Sequence, residues 1–183
     1  MRVITGCARG RKLKTPLGDD IRPTADSVKE AVFNIIRDDV EGRRFLDLFA
    51  GTGQMGIEAV SRGARECVFV DSSPSSLKLV NENISLCGFQ NNTSVIHADS
   101  VSYLDRCGKF DVIFIDPPYD SNMYEKVLET INSVDILSEG GIIIVEARRE
   151  KVLPEMTFPY RMLKEYRYGK VKICTFTREI GEN

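Results

Sequence analysis

Short apolar runs alternate with helical patterns along the chain from Phe45 onward. The runs are continuously apolar, which is typical of strands buried on both faces of a parallel sheet, and helical patterns separate them. Strands are predicted at residues 45–48, 67–70, 95–97, 112–115 and 142–145. Helices are predicted at residues 54–62, 74–86, 101–106 and 124–133. The pattern predicts an α/β fold with a mostly parallel, doubly wound sheet and helices on both faces.

Two further elements flank this alternating region. Ser27 and Glu30, shortly after Pro23, have the spacing of a capping box, which predicts that a helix begins at Ser27. Its apolar face is predicted to consist of Val28, Ala31, Val32, Ile35 and Ile36. Near the end of the chain, residues 161–168 and 171–177 surround a Gly-Lys pair, which is typical of an antiparallel hairpin.

Composition predicts one soluble domain. The chain has 183 residues, 42% hydrophobic and 28% charged, which is enough for a substantial core. We expect a short basic N-terminal arm, residues 1–22, followed by a single domain, residues 23–183. No apolar run approaches the roughly 20 residues that span a bilayer, and no signal-peptide core follows Met1. The sequence therefore predicts no membrane association.

The five cysteines are scattered, with no C-x-x-C pair and no neighbouring histidine. Their arrangement predicts neither a metal site nor a disulfide framework, and it favours reduced thiols in the cytoplasm. They are Cys7, Cys67, Cys87, Cys107 and Cys174. The lone histidine, His97, falls in a predicted strand, and we expect it to be packed in the core.

Basic residues are concentrated in two segments, although the net charge is −2. Residues 1–18 contain five basic side chains and no acid, and residues 161–172 contain five against the single acid Glu165. Such patches could contact phosphates, or they could be solvated faces with no ligand.

Residues 51–56 read Gly-Thr-Gly-Gln-Met-Gly, a G-x-G-x-x-G loop between a predicted strand and helix. Asp71 ends the next strand, near the spacing of an acid that binds a ribose diol. A dinucleotide-dependent dehydrogenase is one interpretation, and a tight turn without a ligand is another.

Asp47 favours a different ligand because it directly precedes this loop. A carboxylate there would repel a pyrophosphate by roughly a few kcal/mol, whereas it would attract the ammonium and sulfonium of S-adenosylmethionine. The helix N-terminus after Gly53 could receive the methionyl carboxylate. Asp99 could accept from the adenine amine or could cap the helix that follows it. The predicted cofactor-binding residues are Asp47, Phe49, Ala50, Gly51, Thr52, Gly53, Asp71, Ser72, Asp99 and Ser100.

Asp116-Pro117-Pro118-Tyr119 follows the apolar run 110–115 and is the most distinctive motif of the chain. The prolines remove two backbone donors and fix two φ angles, which leaves rigid carbonyls beside a carboxylate and an aromatic ring. This combination suits a planar amine such as the exocyclic amino group of a nucleobase, although a sharp turn after a core strand is the simpler interpretation.

The chain resembles a class I S-adenosylmethionine-dependent methyltransferase. The resemblance rests on the order of four features: Asp47 with the glycine loop, Asp71, Asp99 and Asp-Pro-Pro-Tyr. The N-terminal part is similar to the RsmD family, which methylates the N2 amine of a guanine in bacterial 16S ribosomal RNA. This narrower resemblance rests on Arg2-Val3-Ile4-Thr5-Gly6, Arg9-Gly10-Arg11-Lys12-Leu13 and Arg22-Pro23-Thr24-x-Asp26-x-Val28-Lys29-Glu30-x-Val32-Phe33-Asn34. Thr5 and Ser27 depart from the family pattern, and both concern RNA placement.

The resemblance implies direct displacement, with catalytic residues Asp116, Pro117, Pro118 and Tyr119 and with S-adenosylmethionine as cofactor. It also implies RNA contacts by the basic arm and by the start of the first helix. These predicted RNA-binding residues are Arg2, Arg9, Arg11, Lys12, Arg22 and Thr24. We expect a cytoplasmic monomer that acts on small-subunit ribosomal RNA in an assembled or assembling particle.

Two alternatives to this function stay open. Asp-Pro-Pro-Tyr would serve an adenine-N6 methyltransferase of DNA or RNA equally well, although the chain is small for a sequence-specific DNA enzyme. The protein could also be a non-catalytic ribosome-assembly factor that retains cofactor binding.

Overall fold

A computed structural model describes residues 1–16, 26–118 and 122–179. Seven strands form one sheet in the order β3-β2-β1-β4-β5-β7-β6. The strands are β1 (Arg44–Leu48), β2 (Glu66–Asp71), β3 (Thr93–His97), β4 (Phe110–Ile115), β5 (Leu137–Arg148), β6 (Tyr160–Tyr168) and β7 (Val171–Arg178). The first five run parallel, and β7 enters antiparallel between β5 and β6. The predicted parallel sheet and C-terminal antiparallel hairpin are therefore confirmed.

Helices cover both faces of this sheet, as the continuous apolar strands predicted. They are α1 (Asp26–Ile35), α2 (Gln54–Ser61), α3 (Pro74–Cys87), α4 (Ser100–Leu104) and α5 (Met123–Val134). Side chains from α1, α2 and α3 pack with the arm on one face, and those from α4 and α5 pack on the other. The residues of α5 that face the sheet and are buried are Tyr124, Val127, Leu128 and Ile131.

Local signals define the ends of α3 as expected. The hydroxyl of Ser73 accepts a hydrogen bond from the Ser76 amide, Pro74 occupies the first turn, and Gly88 ends the helix in the left-handed conformation. The start of α1 differs from the prediction, because Ser27 lies inside the helix and is not its cap. The capping-box spacing was misleading there.

His97 is a second correction. Its side chain is exposed rather than packed in the core, and its Nε2 lies 3.0 Å from the Ser72 carbonyl oxygen. It lies at the C-terminal end of β3, the outermost parallel strand. A position in a strand therefore did not imply burial, because β3 is an edge strand with β2 as its neighbour on one side and no strand of the described residues on the other.

The N-terminal arm is folded onto the helices rather than extended from them. Glu58 of α2, fully buried, accepts from the amides of Ile4 and Thr5 at 2.7 and 2.9 Å. Buried Lys29 of α1 donates to the Arg2 carbonyl at 2.6 Å. Gly6 lies so close to α2 that an added Cβ would stand 1.7 Å from the Ser61 carbonyl oxygen. Residues 1–16 therefore belong to the packed structure, while the predicted boundary at residue 22 lies outside the described residues.

Within the described ranges, no helix is long and apolar enough to cross a membrane.

Candidate active site

The glycine loop joins the C-terminal end of β1 to the N-terminus of α2. Phe49, Gly51 and Gly53 all have positive φ angles, of 66°, 56° and 75°. The amide of Gly53 donates to the Ala50 carbonyl at 2.7 Å and closes the turn. A Cβ added to Gly56 would stand 2.3 Å from Cε1 of Phe69, so this glycine brings α2 close against β2. These contacts correspond to the turn and close-packing roles of a nucleotide-binding glycine loop.

Asp47 stabilises the junction between the glycine loop and α2. Its side chain is 2% exposed, and its Oδ2 accepts a hydrogen bond from the Gly56 amide at 2.8 Å. Burial raises the pKa of Asp47 to about 7, assisted by the charge of Asp71 and opposed by the Gly56 hydrogen bond. One carboxylate oxygen therefore positions α2, a role that the sequence interpretation did not include.

Asp71, at the end of β2, lies next to the same loop. Its Oδ2 accepts from the Gly51 amide and its Oδ1 from the Ser73 amide, both at 2.8 Å. The neighbouring Ser72 is exposed. Asp47 and Asp71 thus both accept hydrogen bonds from backbone amides in or next to the glycine loop.

Asp99 caps α4, which was one of its two predicted roles. Its Oδ1 accepts from the amide and the hydroxyl of Ser102, at 2.9 and 3.0 Å. The amide hydrogen bond is the main reason that the pKa of Asp99 is lowered. Ser100 follows it and is 3% exposed, whereas Asp99 itself is exposed at the edge of the sheet.

The Asp-Pro-Pro segment leaves β4 in the middle of the sheet. Ile115, the last residue of β4, pairs with Leu48 of β1 and Val145 of β5. Asp116 is half-buried, Pro117 is buried and Pro118 is exposed. Tyr119 lies outside the described residues. The motif therefore begins at the same edge as the glycine loop, one strand away.

Glu146 lies beside this motif and is not among the site residues predicted from the sequence. Glu146 directly follows Val145 in β5 and is 2% exposed. Asp47 and Ile144 both pair with Phe114, and side chains alternate along strands, so Asp47, Asp116 and Glu146 lie on one face of the sheet. The sequence does carry a signal for Glu146, because this acid directly follows an apolar run just as Asp116 does.

These acids shift the pKa of Asp116. Burial raises this pKa well above its usual value, and the negative charges of Glu146 and Asp47 raise it further. A carboxylate in such a site is a stronger proton acceptor than an exposed one.

The predicted RNA-binding residues fall into two groups. Arg2, Arg9, Arg11 and Lys12 are exposed on the folded arm, where Arg2 and Lys12 form an antiparallel bridge. Arg22 and Thr24 lie outside the described residues. Residues 1–16, 26–118 and 122–179 contain no group of three or more His, Cys, Asp or Glu side chains that could hold a metal ion.

The fold and the strand-end site together define a Rossmann-like class I methyltransferase. The chain belongs to the RsmD family, since the family model described as conserved hypothetical protein 95 matches residues 1–177. The predicted family is therefore confirmed, and the comparisons favour a methyltransferase over a dehydrogenase.

Similar proteins extend over nearly the whole chain. YlbH of Bacillus subtilis strain 168 is 37% identical over 182 residues, covering 97% of this chain and 99% of the relative. Ribosomal RNA small subunit methyltransferase D of Haemophilus influenzae is 33% identical over 177 residues, covering 93% and 90%. The solved structure of yhhF from Escherichia coli has a TM-score of 0.88 at 28% identity and covers 98% of each chain.

Proposed function

We propose that this protein is an S-adenosylmethionine-dependent methyltransferase of the exocyclic N2 amine of a guanine in 16S ribosomal RNA. The observation that carries the proposal is the location of Asp116-Pro117-Pro118 one strand from the glycine loop, at the same sheet edge. The name of the Haemophilus influenzae relative supports ribosomal RNA as the substrate.

The residues at the sheet edge fit this cofactor. Asp47 and Asp71 border a glycine loop whose positive φ angles leave room for close backbone approach. Two carboxylates there disfavour a pyrophosphate and favour a cationic ligand. When bound, S-adenosylmethionine would supply an electrophilic methyl group on its sulfonium. The residues assigned to hold it are Asp47, Phe49, Ala50, Gly51, Thr52, Gly53, Asp71, Ser72, Asp99 and Ser100.

Asp116 is assigned two tasks in the transfer. Its carboxylate accepts a hydrogen bond from the target amine, together with the Pro117 carbonyl, and this draws the nitrogen toward tetrahedral geometry. The nitrogen lone pair would form the new N–C bond as the bond from that methyl group to sulfur breaks, with its electron pair left on sulfur. The displaced proton passes to Asp116 or to water, and the raised pKa of Asp116 favours the first route.

Two further contacts complete the proposed substrate site. Tyr119 is assigned to stack on the extruded base, a contact worth about 1–3 kcal/mol. The exposed cations of the arm are assigned to RNA phosphates, together with Arg22 and Thr24 at the start of the first helix. The substrate is proposed to be an assembled or assembling small subunit, and the protein a cytoplasmic monomer.

The test is methyl transfer to small ribosomal subunits that lack the modification. We expect the wild-type protein to produce N2-methylguanine at a single mapped nucleotide. Asp116→Asn should lower kcat by about a hundredfold or more while the Kd for S-adenosylhomocysteine changes little. Asp111→Asn, in the same strand but at its opposite end, is the matched control and should retain activity.

Each other outcome has a distinct meaning. N6-methyladenine would support the adenine enzyme instead. Cofactor and particle binding without any transfer would support the non-catalytic assembly factor. Near-normal turnover by Asp116→Asn would contradict the mechanism.

A further inference from the structure

Asn83 of α3 occupies a position that no part of the proposed chemistry uses. Its side chain is fully buried, in the face of α3 that packs under the arm and the glycine loop. It makes three hydrogen bonds to backbone atoms, all of them outside its own helix. A fully buried asparagine with such remote partners calls for an explanation beyond helix formation, because asparagine is a weak helix former.

The three hydrogen bonds join two segments that are far apart in sequence. The Lys14 amide donates to Oδ1 of Asn83 at 2.7 Å, and Nδ2 donates to the Lys14 carbonyl at 3.1 Å. The same Nδ2 donates to the Thr52 carbonyl at 3.0 Å. Asn83 therefore binds both backbone groups of an arm residue and one backbone group of the glycine loop.

Only a side-chain amide of this length can make this set of contacts. It offers one acceptor and two donors on a single planar group, whereas a carboxylate lacks the donors and a hydroxyl has one. Truncation would leave two carbonyls and one amide without their buried partner, at a cost of desolvation for each. The link between arm and loop thus depends on this one residue type.

A second contact brings the arm and the loop together directly. The hydroxyl of Thr52 lies 3.5 Å from the sulfur of Met1. The arm is also fixed to α2, which begins directly after the loop, through Glu58 and the amides of Ile4 and Thr5. The arm therefore rests on the elements that shape the proposed cofactor site.

We propose that Asn83 is a positioning residue through which RNA bound at the arm and cofactor bound at the glycine loop raise each other's affinity. This inference rests on the proposed function. Each ligand orders one end of the same hydrogen-bonded unit, so the second ligand meets a segment that is already ordered. Linkage requires the effect to be reciprocal and equal in size for the two binding equilibria.

The experiment measures the Kd of S-adenosylhomocysteine, which cannot donate a methyl group, without and with saturating unmodified small ribosomal subunits. We expect the wild-type Kd to fall about fivefold or more when the particles are present. Asn83→Ala should bind each ligand alone but show a ratio close to one. Asn81→Ala is the matched control, since Asn81 is exposed on the same helix and its amide donates to Leu77 within that helix.

A merely structural role for Asn83 predicts a different result. In that case Asn83→Ala would bind each ligand more weakly, while the ratio of the two Kd values would equal that of the wild type; a lower melting temperature is expected with either role and does not separate them. That result would overturn the inference, as would a wild-type ratio of one. A protein that neither binds nor methylates the particles would instead contradict the proposed function itself.

Hydrogen exchange of the wild-type protein provides a readout that does not depend on the variant folding. The Lys14 amide is bonded to Asn83, so S-adenosylhomocysteine alone should slow its exchange severalfold. The Asn92 amide, which donates to the Phe89 carbonyl beyond the C-terminal end of α3 and not to Asn83, should be unaffected. Unchanged exchange at Lys14 in the saturated complex would also overturn the inference.

Discussion

Asp116, the first residue after β4, and Glu146, within the adjacent parallel strand β5, each directly follow one member of the Ile115–Val145 pair. Their carboxylates lie on the same face of the sheet, and the charge of Glu146 contributes to the raised pKa of Asp116. Glu146 therefore affects how readily the proposed proton acceptor takes up a proton.

The first prediction concerns the pH dependence of methyl transfer. If ionised Asp116 is required, kcat/KM falls as the pH drops through its pKa. Glu146→Gln removes a neighbouring negative charge and lowers that pKa, so the acidic limb of the profile should move to lower pH by about one unit. Glu139→Gln, exposed near the start of the same strand, should leave the limb unchanged. An acidic limb that does not move in Glu146→Gln would contradict the assignment.

The second prediction concerns Asp47 and stability. The folded-state pKa of about 7 exceeds the ordinary value of 3.8, so folding favours the protonated form. The stability that this group contributes is fully present below pH 3.8 and is lost as the pH rises to about 7. Asp47→Asn can still accept from the Gly56 amide and avoids that loss. Its free energy of unfolding, relative to wild type, should rise by up to about 4 kcal/mol across this window.

Urea denaturation of the ligand-free protein at several pH values provides the measurement. The difference in free energy of unfolding between Asp47→Asn and wild type should be smallest near pH 4 and should level off above pH 7. The same variant should bind S-adenosylmethionine more weakly, because the proposed site loses a negative charge. A stability difference that is constant from pH 4 to 8 would show that ionisation of Asp47 is not its origin.

The third prediction concerns the packing of α2 on the sheet. An alanine at Gly56 would place its Cβ 2.3 Å from Phe69 Cε1 and 2.5 Å from the Cys67 sulfur, so the helix must shift. Gly56→Ala should lower the free energy of unfolding by about 1–3 kcal/mol and displace the glycine loop, which weakens cofactor binding. The control is Gly108→Ala, where the nearest atom is Nη1 at the end of the Arg44 side chain, at 3.1 Å. Thermal unfolding with and without S-adenosylhomocysteine would separate the two variants. Equal losses of stability and of ligand binding in Gly56→Ala and Gly108→Ala would refute the packing argument.

Most of the fold could be predicted because its determinants are local. Continuous apolar runs identified every parallel strand, and the helix predicted at residues 74–86 agrees with α3 to within one residue. Strand β5 was the least complete prediction, since it begins at Leu137 and continues through Gly140 and Gly141. Neighbouring strands β4 and β7 determine its length, and that information is not in its own composition.

The site was less predictable because its polar contacts join distant residues. Glu58 accepts a hydrogen bond from Ile4, 54 positions away in sequence, and Asn83 accepts one from Lys14, 69 positions away. Neither spacing leaves a local pattern, so the docking of the arm could not be inferred. Glu146 was missed for another reason. It does not follow a strand that leads into a helix, because β5 leads instead into the antiparallel part of the sheet.

The docked arm also has a practical consequence for recombinant work. The first residue, Met1, accepts a hydrogen bond from the Leu13 amide and touches Thr52, so a purification tag joined there would emerge beside the glycine loop. Strand β7 runs antiparallel to β5 and ends near Ile142, at the opposite edge of the sheet. A tag attached beyond β7 starts from the sheet edge opposite the glycine loop, which makes it the safer choice when ligand affinities are compared.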